Sequence, residues 1–377
     1  MTTYKLMATA ASGIEALVAK ELQQLGFQTQ TENGRVLFEA DQAGILRANL
    51  WLRTAGKVKI IVGEFEANTL DDLFEGVKAL EWERFLNYDT NFWIARPSIR
   101  KSERLNSEPT IQGLTERAIV DHLKDYFHFR GSLPKAGYDA PIEILVEKGH
   151  ITLLLDTTGE SLFKRGYRVN KGGAPLKENF AAALVMLTNW RPDMPFVDPT
   201  SGSGTIAIEA ALIGRNLAPG LNRKFVIEDM DWFDATLSDT LRDEAEDKAD
   251  YDRELEIYGF DIDETMVAIA QENARHAGLS QDITFKQLAA KDWQTDLPNG
   301  VLVSNPPYGE RLGELDAARE LYAQMGEVYR QLPGWSKYIL TSDLEFEQAY
   351  GAKATKKRKL YNGALRVDLF QFWARRD

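Results

Sequence analysis

Residues 195–205 read Pro-Phe-Val-Asp-Pro-Thr-Ser-Gly-Ser-Gly-Thr, and this stretch decides the fold class of the chain. A short apolar strand ends at the carboxylate of Asp198, and an apolar helix follows over residues 206–213 and stops at Gly214. Glycine lets backbone N–H groups come close to a ligand at the start of a helix. Strand, glycine-rich turn and helix together therefore predict a nucleotide-type cradle in an α/β sheet.

The cradle is compatible with more than one cofactor. A P-loop requires Gly-Lys-Ser/Thr, and the turn has no lysine, which disfavours a nucleoside triphosphate. Gly202, Gly204 and Ala207 satisfy the dinucleotide fingerprint, but its acidic residue should follow about 20 residues later. The best strand ending in an acid is residues 256–261, with Asp261 last, nearly 60 residues beyond the turn. Spacing alone leaves the choice open.

A second stretch, residues 301–309, reads Val-Leu-Val-Ser-Asn-Pro-Pro-Tyr-Gly. Two prolines cannot continue a sheet ladder or enter a helix interior, so a buried strand should end in a stiff, extended turn. That turn would present the Asn305 amide and the Pro306 carbonyl beside Tyr308. Ligands of open α/β sheets bind beyond the carboxyl ends of the strands, so we expect this turn to lie at the site.

Such a turn suits methylation of an exocyclic amine, whose lone pair is delocalised into the ring. Two acceptors, Asn305 Oδ1 and the Pro306 carbonyl, can hold both N–H groups and direct the freed lone pair, while Tyr308 stacks on the base. The run Asn305-Pro306-Pro307-Tyr308 resembles the amino-methyltransferase signature of enzymes that use S-adenosylmethionine (SAM) and act on nucleobases or glutamine amides. With Asp198, it favours a SAM-dependent methyltransferase over a dehydrogenase.

This resemblance implies a role for each residue of the cradle. The backbone of the turn wraps the methionine part of SAM, Asp198 lies close to the SAM amino group, and Asp261 accepts hydrogen bonds from the ribose hydroxyls. Asp292 is the candidate for the adenine amine, and Asp263 is expected to cap the next helix. The remaining predicted cofactor residues are those of the turn and the neighbour of Asp261: Ser201, Gly202, Ser203, Gly204, Thr205 and Ile262.

Composition limits the class of protein. The chain has 377 residues and no cysteine, and its four histidines show no metal-binding spacing, so neither disulfides nor a metal site are expected. No signal-peptide or membrane-spanning pattern is present, and a cytoplasmic location is expected. The net charge is −12, of which −10 falls in residues 228–256. Such acidity disfavours a protein that binds RNA tightly through phosphate contacts alone.

The N-terminal half predicts two small α+β units. Residues 1–55 read as a ferredoxin-like unit, with a helix capped by Ser12 or Gly13 and a hairpin turn at Asn33-Gly34. In residues 56–157, Thr69 is expected to cap a helix, and Thr110 or Gln112 is expected to precede another helix. The basic piece 100–107 before that helix resembles a THUMP domain, which implies recognition of structured RNA. Residues 160–377 are then the class I SAM-dependent methyltransferase (Rossmann-like) domain.

The whole chain resembles the THUMP-containing guanine-N2 methyltransferases of bacterial 23S ribosomal RNA, of the stand-alone kind. Ser201 stands where relatives often carry cysteine. The resemblance implies 23S rRNA as substrate, with tRNA second, and no membrane or metal partner. Basic residues expected to touch RNA are Arg96, Arg100, Lys101, Arg104, Lys164, Arg165 and Arg168.

Three alternatives stay open from the sequence. A tRNA guanine-N2 methyltransferase shares the THUMP domain and the proline turn. A Rossmann oxidoreductase would bind NAD(H) and not SAM. An RNA-binding or assembly protein with a relict methyltransferase fold would bind RNA without methylating it.

Overall fold

The computed structural model describes residues 2–102, 104–168, 176–309 and 314–374. The strands are β1 (Tyr4–Thr9), β2 (Thr29–Glu32), β3 (Arg35–Ala40), β4 (Val58–Glu66), β5 (Asn91–Ile94), β6 (Ser98–Arg100), β7 (Asp139–Glu147), β8 (His150–Asp156), β9 (Phe196–Asp198), β10 (Ile257–Asp261), β11 (Ile283–Gln287), β12 (Gly300–Ser304), β13 (Trp335–Thr341), β14 (Lys356–Asn362) and β15 (Leu365–Phe372). The helices are α1 (Glu15–Gln24), α2 (Gln42–Trp51), α3 (Leu70–Lys78), α4 (Glu108–Tyr126), α5 (Glu178–Met186), α6 (Thr205–Gly214), α7 (Thr236–Asp247), α8 (Glu264–His276), α9 (Glu314–Tyr329) and α10 (Phe346–Tyr350).

The first eight strands form one sheet, in the order β2-β3-β1-β4-β8-β7-β5, with β6 also paired to β7. Strands β1 and β4 pair antiparallel, with Leu6 opposite Ile60, and this pairing joins the two predicted N-terminal units edge to edge. Alternate residues of these strands, including Leu6 and Ile60, are buried in a core shared with the helices. The two predicted N-terminal units are therefore one continuous layer.

Local signals explain where the N-terminal helices begin. Thr69 caps α3 as predicted, in a reciprocal capping box with Asp72. Helix α1 begins at Glu15, and neither Ser12 nor Gly13 caps it. The Glu15 carboxylate instead accepts the N–H of Gly13. Helix α4 begins at Glu108, four residues before Gln112, since a proline is well tolerated in a first turn.

The second sheet is the Rossmann-like one, in the order β11-β10-β9-β12-β13-β15-β14. Strands β9 to β13 are parallel, and β15 pairs antiparallel with both β13 and β14. The strand order reverses between β9 and β12, which is where open α/β sheets bind ligands. The apolar run of β12 is buried on both faces, with Val301 and Val303 against one helix layer and Leu302 against the other.

The acidic segment of the sequence has a structural role. We call residues 225–247 the strap. Apolar side chains of the strap, among them Phe225, Met230 and Leu241, lie in the core of the first sheet. Polar contacts fix it there: Glu244 pairs with Arg47 at 2.9 Å, and the Trp232 carbonyl accepts from the Gln42 amide at 2.8 Å. A segment from the C-terminal half of the chain thus packs against the N-terminal sheet.

Buried charges connect the same two parts. Arg165, with its side chain 3% exposed, faces the fully buried Glu209 of α6 at 3.4 Å and donates to the Arg53 carbonyl. Tyr167 donates to Glu209 at 3.1 Å. Across the described ranges, no helix combines the length and apolar composition needed to cross a membrane.

Candidate active site

The glycine turn and the proline turn meet at the switch point of the second sheet. Strands β9 and β12 are paired, and just beyond their ends the Thr200 and Ser304 hydroxyls lie 2.8 Å apart. Gly202 and Asn305 line one cavity of about 760 Å³. This volume falls in the upper part of the range of small-molecule sites, so a cofactor and a base fit the space together.

The proline turn is braced from two sides. Tyr308 donates its hydroxyl to Asn305 Oδ1, which fixes the amide. Tyr322 of α9, fully buried, donates its hydroxyl to the Pro307 carbonyl at 2.8 Å. Asn305, Pro306, Pro307 and Tyr308 all line the cavity. Because a carbonyl oxygen has two lone pairs, Asn305 Oδ1 can accept a second donor while keeping Tyr308.

The glycine turn brings backbone to the cavity wall. Gly202 and Gly204 have φ angles of +51° and +83°, in the left-handed region that favours glycine. The Gly202 N–H donates to Asp261 Oδ2 at 2.9 Å, and Asp261 Oδ1 accepts from the Asp263 N–H at 3.0 Å. The Asp261 carboxylate is thereby oriented and keeps acceptor capacity for hydroxyl groups. Asp263 caps α8 as predicted.

Asp198 is the most perturbed group at the site. Burial raises the pKa of its carboxyl to about 8, an effect opposed by the hydrogen bond from the Thr200 N–H and increased by the nearby Asp261 charge. Asp198 Oδ2 and Ser201 Oγ are buried and, within the described ranges, have no hydrogen-bond partner. Unpaired buried oxygen atoms are costly, and a cationic, hydrogen-bond-donating ligand would relieve that cost. The residues therefore fit the ammonium end of SAM.

The cavity wall differs from the predicted set at several positions. Asp261 and the exposed Ile262 line it, whereas Asp292 is exposed and lies outside the lining. Ala289, Ala290 and Lys291 take its place. Ser201, Ser203 and Thr205 of the turn are buried and, like the buried Asp198, are not part of the cavity lining. Residues that line the cavity without having been predicted include Leu176, Leu321, Gln324, Asn362 and Leu365.

These additional residues carry no motif in the sequence. Gln324 lies on α9, and Asn362 is the last residue of β14; only the folded arrangement of these elements brings either one to the cavity. Tyr322, which supports the proline turn, looks like an ordinary core aromatic of an amphipathic helix. No local signal distinguishes such residues, because their function depends on packing between elements distant in sequence.

Two of the predicted RNA contacts are wrong. Arg165 is buried in its pair with Glu209 and cannot reach a phosphate. Arg168 is half-buried and donates to the Leu176 carbonyl at 2.9 Å and to Thr205 Oγ1 at 2.8 Å, so it supports the cradle. The others are exposed: Arg96, Arg100, Lys101, Arg104 and Lys164.

Some of the exposed cations are already paired. Arg96 forms a two-bond ion pair with Glu108, at 2.7 and 3.0 Å, and Lys164 pairs with Glu160 at 2.5 Å. Other residues that the sequence makes of interest lie outside the described ranges: Ala174 and Pro175, expected at the start of a helix; the cation Lys171; and Glu310 and Arg311, just past the proline turn. Within the described ranges, no three acidic or histidine side chains are grouped to hold a metal ion.

A family model described as "RMKL-like, methyltransferase domain" matches residues 165–371. The chain belongs to this methyltransferase family. Models described as "RlmL ferredoxin-like domain" and "THUMP domain" match residues 5–59 and 67–156 of this RMKL-like methyltransferase. The fold class predicted from the sequence, a ferredoxin-like and THUMP part followed by a Rossmann-like methyltransferase, is confirmed.

Two relatives show how far the similarity extends. The putative RNA methyltransferase YpsC of Bacillus subtilis is 50% identical over 376 residues, covering 100% of this chain and 97% of that protein. The ribosomal RNA large subunit methyltransferase K/L of Syntrophotalea carbinolica is 36% identical over 384 residues, covering 98% of this chain and 53% of that protein. This chain thus spans about half the length of the K/L enzyme.

Solved structures agree with this assignment. A putative methyltransferase complexed with SAH superposes with a TM-score of 0.96 at 52% identity over the full length of both chains. A predicted N6-adenine-specific DNA methylase from Listeria monocytogenes gives 0.95 at 51% identity, covering 100% of this chain and 97% of that one. TrmN from Thermus thermophilus, at 0.69 and 21% identity over 98% of this chain and 99% of its own, shares the fold. The cofactor of this family is SAM, as predicted.

Proposed function

We propose that this RMKL-like methyltransferase methylates the exocyclic N2 amine of a guanine in 23S ribosomal RNA. The observation that carries the proposal is that Asn305 and Gly202 line one cavity. A base amine held at the proline turn is then within reach of a cofactor held at the glycine turn. The THUMP match and the names of the K/L relatives support an RNA substrate, and ribosomal RNA in particular.

The chain's own groups account for nucleophile positioning. SAM, when bound, supplies a methyl group activated by a positive sulfonium. Asn305 Oδ1 and the Pro306 carbonyl accept the two N–H bonds of the base amine, which localises the nitrogen lone pair. Tyr308 and Tyr322 keep these acceptors in place, so little reorganisation is needed when the base arrives. The amine proton becomes acidic as nitrogen is alkylated, so no strong general base is required.

The target base must leave its stack to reach this cavity. Extruding a base costs a few kcal/mol, which favours single-stranded or loop nucleotides as targets. The cavity lining also includes the apolar Leu321 and Leu365 and the polar Gln324 and Asn362. An apolar face with edge hydrogen bonds is the chemistry that accepts a flipped purine.

The test uses purified protein with methyl-labelled SAM and, separately, protein-free 23S rRNA and tRNA. Digestion to nucleosides and mass spectrometry should show N2-methylguanosine in the 23S rRNA. Label in tRNA alone would show that tRNA is the substrate. N6-methyladenosine would show that the methylated group is the exocyclic amine of adenine. No label in either RNA would overturn the proposal.

Asn305→Ala tests the residue that positions the amine. Loss of one preorganised polar contact in an active site typically lowers turnover about 10²–10³-fold, and we expect that loss with SAM affinity retained in calorimetry. The matched control is Asn299→Ala, an exposed asparagine just before the opposite end of β12, which should keep wild-type turnover. Equal turnover of both variants would eliminate the proposed role of Asn305.

A further inference from the structure

Strand β14 runs from a groove at one side of the methyltransferase domain to the active-site cavity. It is the outermost strand of the second sheet and pairs antiparallel with β15. Its last residue, Asn362, lines the active-site cavity, whereas Lys356 and Arg358, near its start, line a separate groove. Six residue steps of about 3.3 Å separate Lys356 from Asn362, so the strand connects two sites roughly 20 Å apart.

The strand carries four consecutive cations, Lys356, Lys357, Arg358 and Lys359, which we call the basic edge. Lys357 pairs with Glu347, and Arg358 donates to the Gly13 carbonyl at 3.0 Å, which leaves its charge uncompensated. Lys356 and Lys359 are exposed, and neither forms an ion pair with any residue that the structure describes. A locally positive edge therefore stands on a chain whose net charge is −12.

Among the described residues, no acidic side chain lines the groove beside the basic edge. The described polar lining is uncharged apart from Lys356 and Arg358, and includes Asn189 and Gln371. Trp373 lies in the same lining and is 52% exposed, which is unusual for so large an aromatic side chain. Exposed aromatic rings next to cations are the elements with which proteins bind single-stranded nucleic acid, by stacking and by phosphate contact.

Edge protection alone does not account for this arrangement. Lysines on an outer strand prevent pairing with other chains, and this would explain Lys356 and Lys359. It does not explain why Trp373 is half-exposed. It also does not explain why the cations lie on a strand whose last residue, Asn362, lines the active-site cavity. The opposite outer strand, β11, carries a single cation, Lys286.

We propose that the basic edge binds the backbone of the RNA strand that carries the target base, with a neighbouring base stacked on Trp373. This inference rests on the proposed RNA methylation and adds where the substrate strand runs. A strand bound along β14 reaches the cavity at Asn362, beside the proline turn. The distance of roughly 20 Å is spanned by several nucleotides of a single strand.

The test compares a double variant, Lys356→Gln with Lys359→Gln, with Lys286→Gln on the opposite edge of the same sheet. Filter binding of protein-free 23S rRNA is measured from 50 to 300 mM salt. The slope of log affinity against log salt is negative, and losing two phosphate contacts makes it shallower by about 1.4. We also expect roughly tenfold weaker binding at low salt. Trp373→Ala should also weaken binding about tenfold, with an unchanged salt slope.

The readouts separate this inference from the proposed function. We expect the double variant to raise the KM for RNA while leaving kcat, SAM affinity and melting temperature unchanged, because none of its positions lines the active-site cavity. If the wild type methylates 23S rRNA and the double variant matches Lys286→Gln in affinity, salt slope and KM, the basic edge is not an RNA site. If the wild type neither binds nor methylates RNA, the proposed function fails and this inference fails with it.

Discussion

Replacing Asp198 with asparagine should stabilise the free protein increasingly as the pH rises. Burial raises the pKa of this carboxyl to about 8 from its ordinary value of 3.8. The folded state therefore favours the protonated carboxyl. The contribution of this group to the free energy of unfolding is fully present only below its pKa in the unfolded state. Native stability is lost progressively as the pH rises from about 4 to about 8, and no further loss follows above that. Asparagine does not titrate and removes this loss.

The size of the effect follows from the pKa difference. A pH of 7 is about three units above the pKa of Asp198 in the unfolded state and still below its pKa in the folded state. Each unit corresponds to about 1.4 kcal/mol, so about 4 kcal/mol of stability is lost at pH 7. For a domain of this size, 1 kcal/mol shifts the melting temperature by about 2–4 °C. The melting temperature of Asp198→Asn relative to wild type should thus rise by roughly 8–16 °C between pH 4 and pH 7.

The assay is thermal unfolding of ligand-free wild type and variant at intervals of one pH unit from 4 to 9. The asparagine amide leaves a pH-independent offset, because its NH2 group takes the position of the unpaired Oδ2. Only the pH dependence of the difference is therefore informative. Ser201→Ala, which removes the other unpaired oxygen but no titrating group, is the control and should differ from wild type by a constant amount.

A difference between Asp198→Asn and wild type that stays constant from pH 4 to pH 8 would refute the reasoning. The same variant should lose SAM affinity, because the carboxylate is the group that we place beside the SAM ammonium. If SAM affinity is retained while the stability difference shows the expected pH dependence, Asp198 is a buried acid that does not bind the cofactor. Both outcomes are read from the same protein preparation, by calorimetry and by unfolding.

Two further predictions concern packing and buried charge. Gly204→Ala forces a left-handed φ of +83° on an L-residue and places its methyl 2.8 Å from the Phe285 ring, which should cost about 2–5 kcal/mol in urea unfolding. Gly202→Ala has its nearest such contact at 3.8 Å, so it should cost about 1–2 kcal/mol; equal losses in the two variants would contradict the crowding at Gly204. Glu209→Gln leaves the buried Arg165 charge without a carboxylate and should destabilise by about 3–5 kcal/mol in the same assay, whereas a change below 1 kcal/mol would show that Arg165 is hydrated.

Much of the active site could be predicted because its signals are local. The glycine turn needs left-handed backbone at Gly202 and Gly204, and the proline turn needs a strand that stops at Asn305. Both requirements are met by neighbouring residues and are therefore visible in a short stretch. The rule that ligands bind where parallel strands end then placed the two turns together, and the structure shows them lining one cavity.

Predictions that depended on exposure were less successful. Arg165 and Lys164 are neighbours in a basic run, yet one is buried against Glu209 and the other pairs with Glu160 in solvent. A charge run does not indicate which of its members faces a partner domain. Asp292, the candidate for the adenine amine, likewise lies outside the cavity lining, which includes its neighbour Lys291 instead.

The sequence by itself determined the chemistry of the two turns, since proline and glycine restrict or release the backbone of their own residues. Only the tertiary structure decided how the parts of the chain are joined. The pairing of β1 with β4, the docking of the strap on the first sheet and the burial of Arg165 all depend on contacts between residues far apart in sequence. Such contacts form because apolar surface and unpaired charge must be buried against something, and only the assembled fold determines the partner.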